Sequence, residues 1–262
     1  MIDREKIFAY LRNVEEKVII ARVLDQCEIV LRKHQIQVTD FFDPFRTGQI
    51  FSIVQSIGSI NAKADGGYPS AERKRTVIFP DFRSEDNISS ELSYLFIEGN
   101  FKMVQVTHGD YLGAILGLGI KRDKIGDIIV LENGAQVIVA SEISNYIKSH
   151  LVKVGKVKVS ITDISRGDIT PPEQKFKEIR TTVPSLRMDV IAGAGFGTSR
   201  AKIAREIAAE RFSLNWHTCS NLSQSVKEKD IISARGRGRV ELFEVGGQTK
   251  KGRIVVTLRK YL

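Results

Sequence analysis

The chain has 262 residues, of which 42% are hydrophobic, and its formal net charge is +9. This length allows two domains or three small ones, and this hydrophobic content excludes a wholly disordered chain. The longest uncharged stretch, residues 47–62, is diluted by polar residues and Gly, so the sequence predicts no membrane helix, which needs about 18 apolar residues in a row.

The N-terminus and the two cysteines indicate the cellular compartment. The first six residues are mostly charged and lack the apolar segment of a secretory signal. Cys27 and Cys219 match neither a disulfide framework nor a zinc pattern. We therefore expect a cytoplasmic protein with reduced thiols and no metal site.

The N-terminal region, residues 1–87, is predicted to begin with helices. Apolar residues recur every three to four positions from 14 to 33, which indicates one long amphipathic helix with Cys27 in the core. A shorter helix is predicted over 44–57, with Asp43 as its N-cap. Two extended runs around a Gly-Gly-Tyr-Pro turn follow between residues 60 and 80. The basic run after this turn, residues 72–75, is more typical of a solvated strand edge than of a phosphate contact.

The middle region, residues 88–183, alternates between strand and helix patterns. The predicted strands lie at 101–107, 127–131, 136–140 and 156–164, and the predicted helices at 110–118 and 142–152. The order βαββαβ is that of a ferredoxin-like or RRM-like domain. An RRM stacks bases on aromatic side chains of its central strands, whereas the strands around 128–130 and 137–139 contain only Ile and Val. RNA contact by this domain is therefore an open alternative. The Gly- and Pro-containing segment 165–174 is predicted to be a linker.

The positive charge is concentrated in the last third of the chain. Residues 1–183 hold 25 basic and 24 acidic side chains, whereas residues 184–262 hold 15 basic and 7 acidic ones. A balance of +8 on this segment indicates a surface for a polyanion. Nucleic acid fits better than an anionic membrane, because no basic amphipathic helix with bulky apolar anchors occurs there.

A predicted helix beginning near residue 200 provides the first candidate RNA contacts. Ile203 and Ile207 form its inward side, and the free N–H groups at its start favour a phosphate. The candidates on and before it are Arg187, Ser199, Arg200, Lys202 and Arg205. The Gly-rich segment 193–197 does not have the spacing of a nucleotide-binding loop, so it is predicted to be a flexible connection between two helices.

Two further basic groups complete the candidate site. Arg235, Arg237 and Arg239 alternate with glycines, and on a strand all three would lie on one side. Arginine forks match phosphate oxygens well. The second group, Lys250, Lys251 and Arg253, lies in a Gly-containing turn that is predicted to be a hairpin tip.

Several motifs together resemble a known family. Arg-Met-Asp at 187–189, Thr-Ser-Arg at 198–200, Leu-Asn-Trp at 214–216 and Lys-Asp-Ile-Ile at 229–232 resemble the S4 RNA-binding domain. The run 111–127, the Gly-Gly-Tyr segment with the following Glu-Arg-Lys, and the Arg-Gly-Arg-Gly-Arg segment extend the resemblance to the bacterial YlmH-type S4-domain proteins over essentially the whole chain.

The resemblance implies an α+β protein with three parts: a helical lead, an RRM-like middle domain, and a C-terminal S4 domain of αL type at 184–262 with a β-hairpin extension. It implies a non-enzymatic protein that binds structured rRNA or tRNA and associates with the large ribosomal subunit in ribosome-associated quality control. No catalytic residue, cofactor, membrane contact or small-molecule substrate is expected.

The sequence leaves one alternative function open and differs from the S4 pattern at one residue. Arg187-Met188-Asp189 also resembles the Arg-Leu-Asp of pseudouridine synthases, so an RNA-modifying enzyme of that or of methyltransferase type is the alternative, although too few residues follow for a catalytic domain. The S4 pattern has Gly where this chain has Glu210. Because Gly accepts positive φ at little cost, we expect either a different turn or a small strain at Glu210.

Overall fold

A computed structural model describes residues 2–9, 14–101, 104, 106–173 and 175–261, with the side chains of all these residues except Glu15. Within this part of the chain there are seven α-helices and three antiparallel sheets, so the fold is mixed α and β. The chain divides into two compact units, Met1–Pro172 (unit one) and Glu173–Leu262 (unit two). The division lies inside the segment that the sequence predicts to be a linker.

The N-terminal part of unit one, residues 2–87, is a three-stranded sheet covered by helices. Its elements are α1 (Arg4–Ala9), α2 (Val14–Lys33), β1 (Gln37–Phe42), α3 (Pro44–Ile57), β2 (Ile60–Asp65) and β3 (Lys74–Pro80). The strands lie in the order β1-β3-β2. Cys27 of α2 is fully buried and packs in one cluster with Ile50 of α3. Asp43 accepts a hydrogen bond of 2.9 Å from the amide of Arg46 and caps α3, so both predicted helices are confirmed.

The middle part of unit one, residues 88–172, has a five-stranded sheet with two helices on one face. Its elements are β4 (Leu92–Gly99), α4 (His108–Leu116), β5 (Ile125–Leu131), β6 (Gly134–Ala140), α5 (Ser141–His150), β7 (Lys153–Val154) and β8 (Val157–Ile164). The strand order is β5-β6-β4-β8-β7. Leu95, Ile97 and Val137 are buried in the cluster that contains Tyr111 of α4 and Ile147 of α5.

The first strand of this sheet is not where the sequence predicts it. Strand β4 replaces the predicted strand at 101–107, of which residues 102, 103 and 105 lie outside the described residues and the others are not in a strand. Phe101 instead packs edge-on against Tyr111, with the ring centroids 5.7 Å apart. The element order βαββαβ is observed, with the short strand β7 added before β8.

Asp127 of β5 connects the two parts of unit one. Its carboxylate accepts hydrogen bonds from the Tyr68 hydroxyl at 2.8 Å, the Glu72 amide at 2.7 Å and the Arg73 amide at 3.1 Å. The Arg73 side chain donates to backbone carbonyl groups of β1 and β5. Arg75, two residues later, is only 3% exposed. The prediction of a solvated edge for this basic run is therefore wrong, since its arginines hold the N-terminal and middle parts together.

The face of the five-stranded sheet opposite α4 and α5, here called the open face, is partly covered by other residues of unit one. Ile138 on this face packs with Phe41 and Tyr68 of the N-terminal part. The segment 165–170 crosses beside them, and the Gln136 side chain makes two hydrogen bonds to its backbone, of 2.7 and 2.8 Å. The half of the face formed by β5 and β6 is thus occupied.

Unit two is a six-stranded sheet with two helices on one face. Its elements are β9 (Phe176–Val183), α6 (Met188–Phe196), α7 (Arg200–Ala208), β10 (Phe212–Leu214), β11 (His217–Thr218), β12 (Ile231–Ala234), β13 (Gly238–Gln248) and β14 (Ile254–Tyr261). The strand order is β11-β10-β12-β13-β14-β9. Strand β9, whose residues were expected to belong to the middle region, is paired along its full length with β14.

Helix α6 continues through the Gly-rich segment that was predicted to be a flexible connection. A Cβ atom on Gly195 would lie 2.4 Å from a Cγ atom of Val240, so only glycine allows α6 to approach β13 this closely. Gly197, with φ of +61°, then ends the helix. These glycines serve packing and termination, and the prediction of a flexible connection is wrong.

Three observations on the described residues concern membrane helices, metal sites and the cysteines. None of the helices is long and apolar enough to cross a membrane. The His, Cys, Asp and Glu side chains in this part of the chain form no group of three that could hold a metal ion. Both cysteines are free thiols, and burial raises the pKa of Cys27 to about 12.

Candidate nucleic-acid interface

Asp189, in the first turn of α6, joins two of the predicted RNA contacts. Its carboxylate is nearly buried and accepts hydrogen bonds from Arg187 Nε at 3.1 Å and from Arg200 Nη2 at 2.6 Å. Burial acts to raise the pKa of Asp189, but the hydrogen bonds from Arg200 and Arg187 outweigh it, so that the pKa lies below its ordinary value. The side chains remain exposed to solvent, Arg200 at 57% and Arg187 at 43%. Asp189 thus fixes two guanidinium groups that can still reach a phosphate.

The other predicted contacts near α7 lie on its exposed side. Ser199 occupies the N-cap position, although its hydroxyl makes no capping hydrogen bond. Lys202 and Arg205 are both exposed, whereas Ile203 and Ile207 are fully buried. The division of α7 into a basic outer side and an apolar inner side is therefore confirmed.

The Arg-Gly-Arg-Gly-Arg segment is not one continuous strand: its first three residues form a turn and its last two begin β13. Residues 235–237 join β12 to β13, and Gly236 and Gly238 have φ of +77° and +84°. Arg235 is exposed, whereas Arg237 turns towards α7 and donates to Glu206 Oε1 at 2.6 Å. The prediction that the three arginines lie on one side of a strand is wrong, because the glycines with positive φ break the alternation.

A basic groove lies beside this turn. It has a volume of about 720 Å³ and is lined by three arginines, two serines and one carboxylate: Arg211, Arg235, Arg239, Ser213, Ser233 and Glu210. The guanidinium of Arg239 also lies over the indole ring of Trp216, 5.9 Å from its centroid. Arg211 and the two serines were not among the predicted RNA contacts. They meet only because the three-residue strand β10 pairs with β12, which places Ser213 opposite Ser233.

The third predicted group forms a separate surface. Lys250 and Lys251 are exposed in the turn between β13 and β14, which confirms the predicted hairpin tip. Arg253 donates to the hydroxyl and the carbonyl oxygen of Thr182, at 3.0 and 2.5 Å, and so fixes the hairpin to β9. The tip lies at the opposite end of β13 from the arginine turn, about 30 Å away for a strand of this length.

Three positive φ angles shape the turns on either side of β10. Glu210 has φ of +55°, so the turn keeps the left-handed conformation that glycine adopts more easily and the strain is accepted. Asn215 and Trp216 have φ of +48° and +65° and form the two-residue turn between β10 and β11. The Asn215 side chain accepts a hydrogen bond from the Ile231 amide at 2.9 Å and fixes this turn to β12.

Comparisons with known proteins identify the family. Residues 15–81 match the family model described as "YlmH, N-terminal", and residues 87–168 match the one described as "Putative RNA-binding domain in YlmH". A curated protein of Bacillus subtilis, "Ribosome-associated protein quality control protein P2", is 32% identical over 254 residues, or 97% of this chain and 98% of that protein. This chain belongs to the YlmH family.

A solved structure shares the fold of part of this YlmH-family chain. It is described as "Cell division protein ylmH from Streptococcus pneumoniae" and covers 60% of this chain and 96% of its own. The TM-score is 0.52 at 23% sequence identity, so the likeness concerns the fold alone. The two family models match segments of unit one, whereas all the basic residues selected from the sequence lie in unit two.

Proposed function

We propose that this YlmH-family chain is a non-enzymatic protein that binds structured RNA on the large ribosomal subunit, in ribosome-associated quality control. The RNA-binding description of residues 87–168 and the name of the B. subtilis relative support this proposal. The RNA is rRNA or tRNA, the protein acts in the cytoplasm, and it uses no cofactor and no small-molecule substrate.

Unit two is proposed to be an S4 domain, with β13 and β14 as its hairpin extension. Helices α6 and α7 against the sheet, with the basic residues at their starts, support this assignment. The middle part of unit one is proposed to be RRM-like, because the strand order β5-β6-β4-β8 is that of the ferredoxin-like arrangement.

The observation that carries the proposal is the carboxylate of Asp189 between Arg187 and Arg200. A buried carboxylate fixes both guanidinium groups beside the exposed Ser199 and Lys202 at the start of α7, where the helix N-terminus adds free N–H groups. Such a cluster binds phosphate without bond-making chemistry. Asp189 was also the residue that resembled the pseudouridine synthase motif, and here its carboxylate has the alternative role of positioning two arginines.

The test uses full-length protein and a labelled RNA hairpin at several salt concentrations. The variant Lys202→Ala/Arg205→Ala removes two exposed charges from α7. If each lysine or arginine contacts one phosphate, the slope of log K against log[salt] falls by roughly 0.7–0.9 per contact, and co-sedimentation with large subunits weakens. The matched control, Lys177→Ala/Lys227→Ala, removes the same charge from exposed positions elsewhere in unit two. Equal slopes for both double variants would contradict the proposal.

A further inference from the structure

We propose that the middle part of unit one has a second RNA site, for a single-stranded segment, on the uncovered half of the open face. This half is formed by the second part of β4 from Phe96, the first part of β8 up to Thr162, and β7, since Tyr94 and Ile164 pack in the cluster that covers the rest of the face. The inference goes beyond the interface of unit two and rests on two premises of the proposed function, namely that RNA is the ligand and that this part of unit one is RRM-like. The description of residues 87–168 as an RNA-binding domain names no surface.

The first element of the site is an aromatic side chain on the central strand β4. Leu95 and Ile97 are fully buried against the helices, so the alternating Phe96 lies on the open face. Phe96 is half-buried and pairs in register with Gln136 on β6 and with the exposed Thr162 on β8. This ring was not among the predicted site residues, because the first strand of the domain was expected at 101–107. Aromatic side chains on the central strands of such sheets stack nucleobases.

The second element is a pair of lysines directly opposite each other. Lys153 of β7 and Lys158 of β8 are register partners, and both are exposed. Because Val159 and Ile161 pack against the helices, Lys158 lies on the open face together with Ser160 and Thr162. Like charges opposite each other destabilise a strand pair. A bound phosphate between the two ammonium groups would relieve this repulsion.

The charge around these strands is segregated although the domain is neutral. Residues 87–168 hold 9 basic and 9 acidic side chains, but residues 152–158 hold 3 lysines and no carboxylate. The acidic residue on the same face is Glu98, which pairs with Ser160. Lys158 lies four residues along β8 from Thr162, so about 13 Å separates the proposed phosphate contact from the residue paired with Phe96.

The geometry favours an unpaired strand over a duplex. A base inside a duplex is already stacked and cannot expose its face to Phe96, whereas an unpaired base can be splayed onto the ring. The hydroxyls of Ser160 and Thr162 beside the ring are able to bond to base edges. With one available aromatic ring instead of two or three, the site takes one stacked base with phosphates on the lysines.

The test titrates full-length protein with a labelled oligouridine of about 12 nucleotides. All variants are made in the Lys202→Ala/Arg205→Ala background to reduce binding by unit two. Phe96→Leu keeps an apolar side chain but removes the ring, and we expect a 5- to 140-fold loss of affinity, from about 1–3 kcal/mol per stacked base. Phe96→Tyr keeps the ring and should retain the affinity. Circular dichroism verifies that each variant is folded.

The lysine pair is tested with its own control. Lys153→Ala/Lys158→Ala should lower the salt slope for oligouridine by roughly 1.4, at about 0.7 per single-strand phosphate. The control, Lys17→Ala/Lys33→Ala, removes two exposed charges from α2 of the same unit and should leave the slope unchanged.

Two outcomes overturn the inference: Phe96→Leu binding oligouridine as tightly as its background, or the two lysine double variants giving equal slopes. Failure of the proposed function is read separately, from the RNA hairpin and the α7 variant in an otherwise unchanged chain.

Discussion

The substitution Asp189→Asn tests whether one carboxylate organises the basic end of α6 and α7. It keeps the shape of the side chain and removes the charge that Arg187 and Arg200 share. Exposed ion pairs contribute about 0.2–1 kcal/mol each, and a carboxylate in the first turn of a helix adds about 0.3–1 kcal/mol. Because the carboxylate itself is nearly buried, we expect the upper half of these ranges, about 2 kcal/mol in total. For a unit of this size that corresponds to a fall in Tm of roughly 10 °C.

The Tm difference between wild type and Asp189→Asn should also depend on pH, and the direction follows from the pKa of Asp189. The pKa of Asp189 is lowered in the folded protein, so its contribution to stability is fully present above the unfolded value of about 3.9 and is lost as the pH falls through the folded pKa. The difference in Tm between wild type and Asp189→Asn should be constant above about pH 5 and shrink below about pH 4.

Calorimetry or circular dichroism of the full chain measures both effects. Glu228→Gln, at an exposed position of unit two, is the control and should change stability by less than about 0.5 kcal/mol. A Tm of Asp189→Asn equal to that of wild type at pH 7 would refute the reasoning. So would a difference that persists undiminished at pH 3.

Three further predictions concern single side chains. Ile207→Ala should lower the free energy of unfolding by about 2–5 kcal/mol in urea titrations, because Ile207 is fully buried, and leave the salt slope of RNA binding unchanged. Glu210→Gly should raise the free energy of unfolding by about 0.5–1 kcal/mol, because φ at this position is +55°, which glycine adopts without the strain of a side chain. In native protein at pH 8, a thiol reagent should modify the partly exposed Cys219 and leave Cys27 unreacted, since burial raises the pKa of Cys27 to about 12.

Each of these has a contradicting outcome. An altered salt slope for Ile207→Ala would place that side chain in the RNA surface. A stability loss for Glu210→Gly would mean that the Glu210 side chain contributes more than its backbone conformation costs. Two thiols titrated in the native protein would show that the core around Cys27 opens readily.

Sequence patterns predicted the helices and turns that depend on neighbouring residues in the chain. The 3.6-residue spacing placed α2, and Asp43 followed by Pro44 placed the start of α3. They did not distinguish β4 from residues 101–107, because both segments have apolar residues and only pairing with β6 and β8 selects β4. That error also hid Phe96 on the open face.

The candidate site was predictable in its composition but not in its geometry. Charge counting selected unit two, and α7 divides into basic and apolar sides as predicted. The bonds that Asp189, Glu206 and Thr182 make to particular arginines depend on tertiary contacts across 11 to 71 residues, which spacing cannot supply. The groove beside Arg235 depends in the same way on strand pairing.

The three donors gathered by Asp127 have a consequence for how the chain folds. They lie 54, 55 and 59 residues before it in sequence, and two of them are backbone amides. Without the segment before β3, the Asp127 carboxylate would lose all three donors, and Ile129 of β5 would lose its apolar contact with Tyr68. We therefore expect β5 to be stable only when that segment is in place. We therefore expect the boundary between the two family models, at residues 81–87, to separate stretches of sequence similarity and not independent folding units. Hydrogen exchange should show the N-terminal and middle parts of unit one opening together. We also expect homologous proteins to contain both parts or neither.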